Sequence, residues 1–437
     1  MKKGLTTILF ITISAIHALS QDDIYPAPAY KGHLFITNAT IHVGNGEVIN
    51  NATIAIDNGK ITQVGVSVPV PAGDVKVINA SGMQVYPGLI LPDCDLGLKE
   101  IASGVRGSND YRELGDINAD IRSIVAYNTD SKIINTLKAN GILLANIVPQ
   151  GGTISGSSSV VQLDAWNWED AAYRTDGGIH VNMPSFAETI SRNQVQDQKK
   201  GATADHLQLA VEKTEEIKSF FMQARAYLQD NNHDHVNLKF EAVKGLFDKS
   251  QKLFLHANEV KQMLNGIDFA KDLGFDVVIV GGRDSWLIAD LLKQNNIAVI
   301  LQAEHHLPAT EDEDIDQPFK TPAILQKAGV LFALNDDAST PRYRNLTFNA
   351  GTAAAYGLTR EEALSAITLN PAKILGIADK TGSIEAGKDA NIIISEGDIL
   401  DMKSSVVLYA LIQGRMVSLK NKQTQLYERY IYKYGLK

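Results

Sequence analysis

The feature that most limits how this chain can fold is the position of its strand-rich stretches, one near each end, around a long middle of different character. Residues 33–65 read "HLFITNATIHVGNGEVINNATIAIDNGKITQVG". Apolar and polar residues alternate there, and "GNG" and "DNGK" are tight-turn signals. Residues 381–419, "TGSIEAGKDANIIISEGDILDMKSSVVLYALIQGRMVSL", repeat the pattern. Neither stretch alone makes a stable sheet. The two are therefore expected to build one composite β-sandwich from residues 21–83 and 376–437, with residues 84–375 inserted between them.

The inserted segment alternates apolar strand-like runs with helical ones, the pattern of a parallel α/β fold. Strands are predicted at 141–149, 159–165, 178–184, 252–258, 276–282, 297–304 and 330–338, and a long amphipathic helix at 205–230. With the segment after Pro87 the strands number eight, which suits a (β/α)8 TIM barrel. An open doubly wound sheet is the alternative, but the sequence has no GxGxxG or P-loop pattern to support nucleotide binding.

The chain begins with Lys2 and Lys3, an apolar run over 5–16, and the small-residue pattern Ala18-Leu19-Ser20. That succession reads as a secretory signal peptide over residues 1–20, cleaved before Gln21, and places the protein in the periplasm or outside the cell. The run is too short to span a bilayer, so no membrane insertion is expected after cleavage. Cleavage removes two lysines and takes the net charge from −9 to −9 − 2 = −11. No basic cluster remains to track phosphates, which argues against nucleic acid as a partner. Cys94 is the single cysteine, so no intramolecular disulfide can form.

In a parallel barrel the chemistry sits where strands end and loops begin. In "YPGLILPDCDLGLKE" (86–100), Asp93 and Asp95 stand at an i, i+2 spacing that points two side chains of a strand to one side. Other strand ends offer His256, His305, His306, Asp336 and Asp337. Three carboxylates and an imidazole converging on one point would make an oxygen-rich site suited to Mn²⁺, Fe²⁺ or Mg²⁺. Each residue also has a plain structural role open to it: a hydrogen-bonded core histidine, or an aspartate capping a turn. The acidic run at 311–316 reads as a solvated loop, lacking the spacing of an EF-hand. "VIVGGRDSW" is either an anion-binding nest or an ordinary strand-to-helix turn.

Taken together, these segments resemble the amidohydrolase superfamily, close to its imidazolonepropionase-like and cyclic-imidase branch. The resemblance rests on "ITNATIHVGNGEVINNATIAIDNGKITQVG", on "VINASGMQVYPGLI", and most specifically on "GLTREEALSAITLNPAKILGIADKTGSIEAGKDANIIIS". It implies the barrel-plus-sandwich fold and a hydrolase of non-peptide carbon–nitrogen bonds in cyclic amide-like small molecules. Family members follow Pro-Gly-Leu-Ile with Asp-x-His-x-His, whose histidines bind metal. Here Leu91 stands in place of that aspartate, and Asp93 and Asp95 in place of the histidines. His256 matches the strand-five metal histidine, Gly281 falls where the strand-six histidine would be, and Asp337 matches the proton-shuttling aspartate of strand eight. Lys239 reads as helical, not as a carbamylated metal bridge. The implied cofactor is a divalent metal (zinc, manganese or iron) held by Asp93, Asp95, His256 and Asp337. The altered ligand set keeps a second expectation open: a catalytically inactive, metal-free barrel acting as a binding protein or partner subunit. Dimers are common among such barrels, so a second copy or a related amidohydrolase is an expected partner.

Overall fold

The structure, a computed structural model, describes residues 25–100, 110–186, 202–230, 232–308, 313–336 and 340–436. The expected signal segment, residues 1–20, lies outside them. One eight-stranded sheet draws on both ends of the chain. From the N-terminal side come β1 (His33–His42), β2 (Val48–Asp57), β3 (Lys60–Gly65), β4 (Lys76–Asn79) and β5 (Gln84–Pro87). The second sheet holds β6 (Leu89–Cys94), β7 (Ile142–Ile147), β8 (Ile154–Gln162), β9 (Ala172–Asn182), β10 (Lys252–Ala257), β11 (Val277–Gly281), β12 (Ala298–Leu301) and β13 (Phe332–Leu334). The chain then returns to the first sheet as β14 (Ile392–Ser395), β15 (Val407–Ile412) and β16 (Arg415–Met416). The seam between the two ends is β5 against β14, antiparallel, with Tyr86 opposite Ile393.

Strand alternation explains how the two units share a face. On β14, Ile392 and Ile394 enter the small core of the first sheet with Ile41, Ile54 and Val85, while Ile393 enters the barrel core. A buried charged knot adds to this contact. Asp164, after β8, pairs with Lys138 at 2.8 Å and with Arg415 of β16 at 3.2 Å. Arg415 also donates to the Ala27 carbonyl at 3.0 Å and to Gln162 Oε1 at 3.1 Å.

The second sheet runs in the order β13-β12-β11-β10-β9-β8-β7-β6 and curls into a nearly closed barrel. It is not wholly parallel. β8 runs antiparallel to both β7 and β9, against the parallel pattern expected from the sequence. Residues 148–153 and 163–171 are too few for a helical crossover, so consecutive strands meet as hairpins. Between β6 and β13 the closure is made differently. The Ile90 N–H bonds to Ile367 O, the Leu334 N–H to Ala366 O, and the Asn335 side chain donates to the Asp93 carbonyl at 2.9 Å. The long helix expected at 205–230 spans Ala202–Gln229.

Candidate metal centre

The cavity that matters opens at the C-terminal ends of β6 and β9–β13, with a volume of about 250 Å³. Asp93 and His256 line it on opposite strands of the barrel. A third residue joins them: Asp93, His180 and His256 each offer a ligand atom, and these atoms lie within 4.8 Å of one another. His180 Nδ1 is 2.8 Å from His256 Nε2. The His180 ring stacks on Phe254 at 4.7 Å, its residue is fully buried, and its Nε2 has no hydrogen-bond partner among the described residues.

Burial sets the protonation of both rings. It holds His256 down to about 4, and it holds His180 well below the usual histidine range, with the neighbouring His256 adding to the effect. Both imidazoles are therefore neutral at neutral pH, the form that ligates metals. Two neutral imidazoles and one carboxylate are the donor set of three-ligand zinc sites that keep a position open, and they suit iron equally. Two nitrogens bound cis to one such ion lie roughly 3 Å apart. The observed pair is close to that spacing, so the residues fit a divalent metal.

Asp95 does not join this group. β6 ends at Cys94, and its pairing with β7 carries a register irregularity between Leu91 and Cys94. The i, i+2 rule holds only within a regular strand, and Asp95 lies just beyond it. Its Oδ1 accepts from the Tyr343 hydroxyl at 2.6 Å, its backbone N–H donates to the Tyr343 hydroxyl oxygen at 3.3 Å, and Lys99 lies 3.8 Å away. Asp337, expected as ligand and proton carrier, lies outside the described residues. Its neighbour Asp336 is wholly buried.

Gly281 does not leave a hole. Its φ is +100°, and a Cβ built on it would stand 2.5 Å from Asn258 Oδ1. The Asn258 side chain occupies the space where a strand-six ligand would begin. Of the remaining strand-end residues, His305 is exposed and bonds to Thr352 Oγ1 at 3.1 Å, and His306 bonds to the Leu307 carbonyl at 3.0 Å. "VIVGGRDSW" forms a turn in which Gly282 N–H bonds to Ala257 O and Ser285 N–H to Gly282 O. In the acidic run, Asp314 pairs with Lys320 at 2.5 Å, and residues 311–312 lie outside the described residues. Lys239 sits in a short helix, Leu238–Ala242, with its Nζ on the Ile117 carbonyl at 2.6 Å.

Strand-end position does not single out His180, which lies two positions before the end of β9. The signal was present: two neighbouring strands each carry His-x-Asn, "HVN" at 180–182 and "HAN" at 256–258. A repeated polar alternation inside otherwise apolar strands marks one face of both.

Comparison with known proteins agrees with this architecture. The model of the Amidohydrolase family matches residues 226–423. The chain is 25% identical over 351 residues to an imidazolonepropionase of Mesorhizobium japonicum, covering 75% of this chain and 81% of that one. An imidazolonepropionase of Thermoplasma volcanium is 25% identical over 382 residues, with 83% and 85% covered. Among solved structures, an amidohydrolase from Thermotoga maritima superposes with a TM-score of 0.77 at 25% identity, over 88% of this chain and 99% of that one.

Proposed function

We propose, for a chain that belongs to the amidohydrolase superfamily in its imidazolonepropionase-like branch, a metal-supported hydrolase of non-peptide carbon–nitrogen bonds acting on cyclic amide-like small molecules. The observation that carries this reading is the convergence of Asp93, His180 and His256, the first and last of which line the cavity, at the barrel end where catalytic residues gather. These three residues would hold the ion, of which zinc, manganese and iron fit the donors. Such an ion, when bound, supplies Lewis acidity towards a carbonyl oxygen and a lowered pKa for water.

The chain's own residues supply the rest. Asn335 fixes the backbone of Asp93 through its carbonyl, and so fixes where that carboxylate starts from. Val280, Ile300 and Leu301 give the cavity an apolar wall that limits water. Asp337 is proposed to take a proton from water and return it to the leaving nitrogen, on the strength of its match to the family's strand-eight aspartate. Export is part of the proposal, resting on residues 1–20, and N-terminal sequencing of the exported protein should begin at or near Gln21.

A second reading is a binding barrel without catalysis. It is favoured by the fate of two family ligand positions: Asp95 is bound to Tyr343, and the place at Gly281 is filled by Asn258. Elemental analysis of the purified protein, alongside hydrolysis of neutral cyclic amides and ureides with added Zn²⁺, Mn²⁺ or Fe²⁺, separates the two. About one ion per chain with turnover lost in His256→Ala supports the hydrolase. No retained ion and no turnover on any member of the panel overturns it.

A further inference from the structure

Above the layer of Asp93, His180 and His256, the cavity wall changes chemistry. Alternation on β9 puts Asn182, two residues beyond His180, on the same face, and Asn258, just past the end of β10 and two residues beyond His256, lines the cavity beside it. Gln302 follows β12 and Asn335 follows β13, and these four carboxamides line the cavity together with Gln262. Among the described lining residues there is no lysine or arginine. Recognition of a substrate carboxylate is the work of such cations, usually arginine. Arg283, just after β11, is committed to Asp284 at 2.8 Å.

Two of the carboxamides carry unspent acceptors. Asn335 is 2% exposed, and its amide nitrogen is bound to the Asp93 carbonyl, which can only accept. That bond fixes the orientation of the group and leaves Oδ1 as an acceptor, for which no partner exists among the described residues. Asn258 Oδ1, in the space left by Gly281, is likewise buried and unpartnered among them. Buried acceptors of this kind cost stability unless a ligand donates to them.

We infer that Asn335 and Asn258 are specificity-determining residues that accept hydrogen bonds from N–H groups of an uncharged ligand, a lactam, imide or cyclic ureide, and that the cavity disfavours a ligand bearing a carboxylate. The inference rests on the hydrolase reading only in taking this cavity as the substrate site. A site built to bond an N–H rejects an analogue lacking it far more strongly than an apolar pocket rejects a missing methylene, because the site's polar atoms are then stranded.

The test is calorimetric titration of the full-length mature protein, with and without Zn²⁺, using hydantoin, 1,3-dimethylhydantoin and hydantoin-5-acetate as probes. Hydantoin should bind at least about tenfold more tightly than either of the others. Asn258→Ala and Asn335→Asp should be compared, because Asn335→Asp keeps an acceptor while losing the bond to Asp93. Asn258→Ala should bring the preference over the dimethyl compound to within about threefold without changing zinc content. Equal binding of hydantoin and its dimethyl derivative, tighter binding of the acetate, or binding of none of the three overturns the inference. Turnover of a carboxylate-bearing ring would do so too, while leaving the hydrolase reading standing. N–H-selective binding with no turnover would keep the inference and remove the hydrolase.

Discussion

Tyr343 donates its hydroxyl hydrogen to Asp95 Oδ1 at 2.6 Å, and in doing so separates the fates of two carboxylates that stand two residues apart. Asp93 faces the cavity, while Asp95 is held in the protein interior beside a tyrosine. The phenol is kept neutral by burial, with the neighbouring Asp95 carboxylate adding to the upward push on its pKa. Tyr343→Phe should therefore destabilise the fold by about 1.5–3 kcal/mol, the range for losing a hydrogen bond to a charged group. It should leave metal affinity within about threefold, because Asp95 is not among the clustered donors. Urea unfolding and chelator competition measure the two effects.

His180 should matter to metal uptake more than Asp95 does. His180→Phe preserves the stacking surface against Phe254 while removing the nitrogen that faces His256. Zinc affinity is expected to fall at least about a hundredfold, and Asp95→Asn to change it little. Comparable losses in both variants, measured by competition with a chromophoric chelator, would count against the three-residue cluster.

Restoring the family's strand-six histidine should fail. At Gly281 any side chain meets a left-handed backbone and, 2.5 Å from its Cβ, the Asn258 oxygen. Gly281→Ala should cost about 1–3 kcal/mol in denaturant unfolding. Gly281→His should lower stability by at least as much without raising the metal content found by elemental analysis.

Glu304, 2% exposed after β12, has two carboxylate oxygens with no hydrogen-bond partner among the described residues. Burial pushes its pKa well above the ordinary 4.5. Between 4.5 and that raised value the folded state keeps a proton that the unfolded state releases, so this group makes stability fall as pH rises. Glu304→Gln should stabilise the protein at pH ~7.5 by at least about 1 kcal/mol, and the gain should shrink as the pH is lowered towards 4.5. Urea melts across that range give the answer, and a gain independent of pH would exclude a charged origin.

Asp164 joins the barrel to the closing strands of the first sheet through Lys138 and Arg415, all three nearly buried. Asp164→Ala leaves two buried cations without their carboxylate and should cost about 3–5 kcal/mol. The isolated segment 84–375 lacks Arg415 and uncovers the barrel face packed by Ile393. It should be less soluble than the full chain, as sedimentation or light scattering would register.

The sequence by itself determined the two units and their interleaving, because alternation and turn residues are local signals: "DNGK" closes β2 onto β3, and "NIIIS" buries both its faces. It also named Asp93 and His256, since both lie at strand ends where such residues collect. What it could not determine was direction and partnership. β8 runs antiparallel because of the short connections at its two ends, and nothing in its own nine residues, "ISGSSSVVQ", specifies that. Asp95 obeys the same spacing as Asp93 on paper, yet an irregular strand end and a hydroxyl 248 residues away turn it elsewhere. His180 reads as a core residue until β9 pairs with β10 and brings it against His256. Gly281 reads as a gap until Asn258 fills it. Periodicity is a property of neighbours in the chain and survives in the sequence. A site is a property of neighbours in space, and only the closure of the barrel, Asn335 against Asp93, decides who those neighbours are.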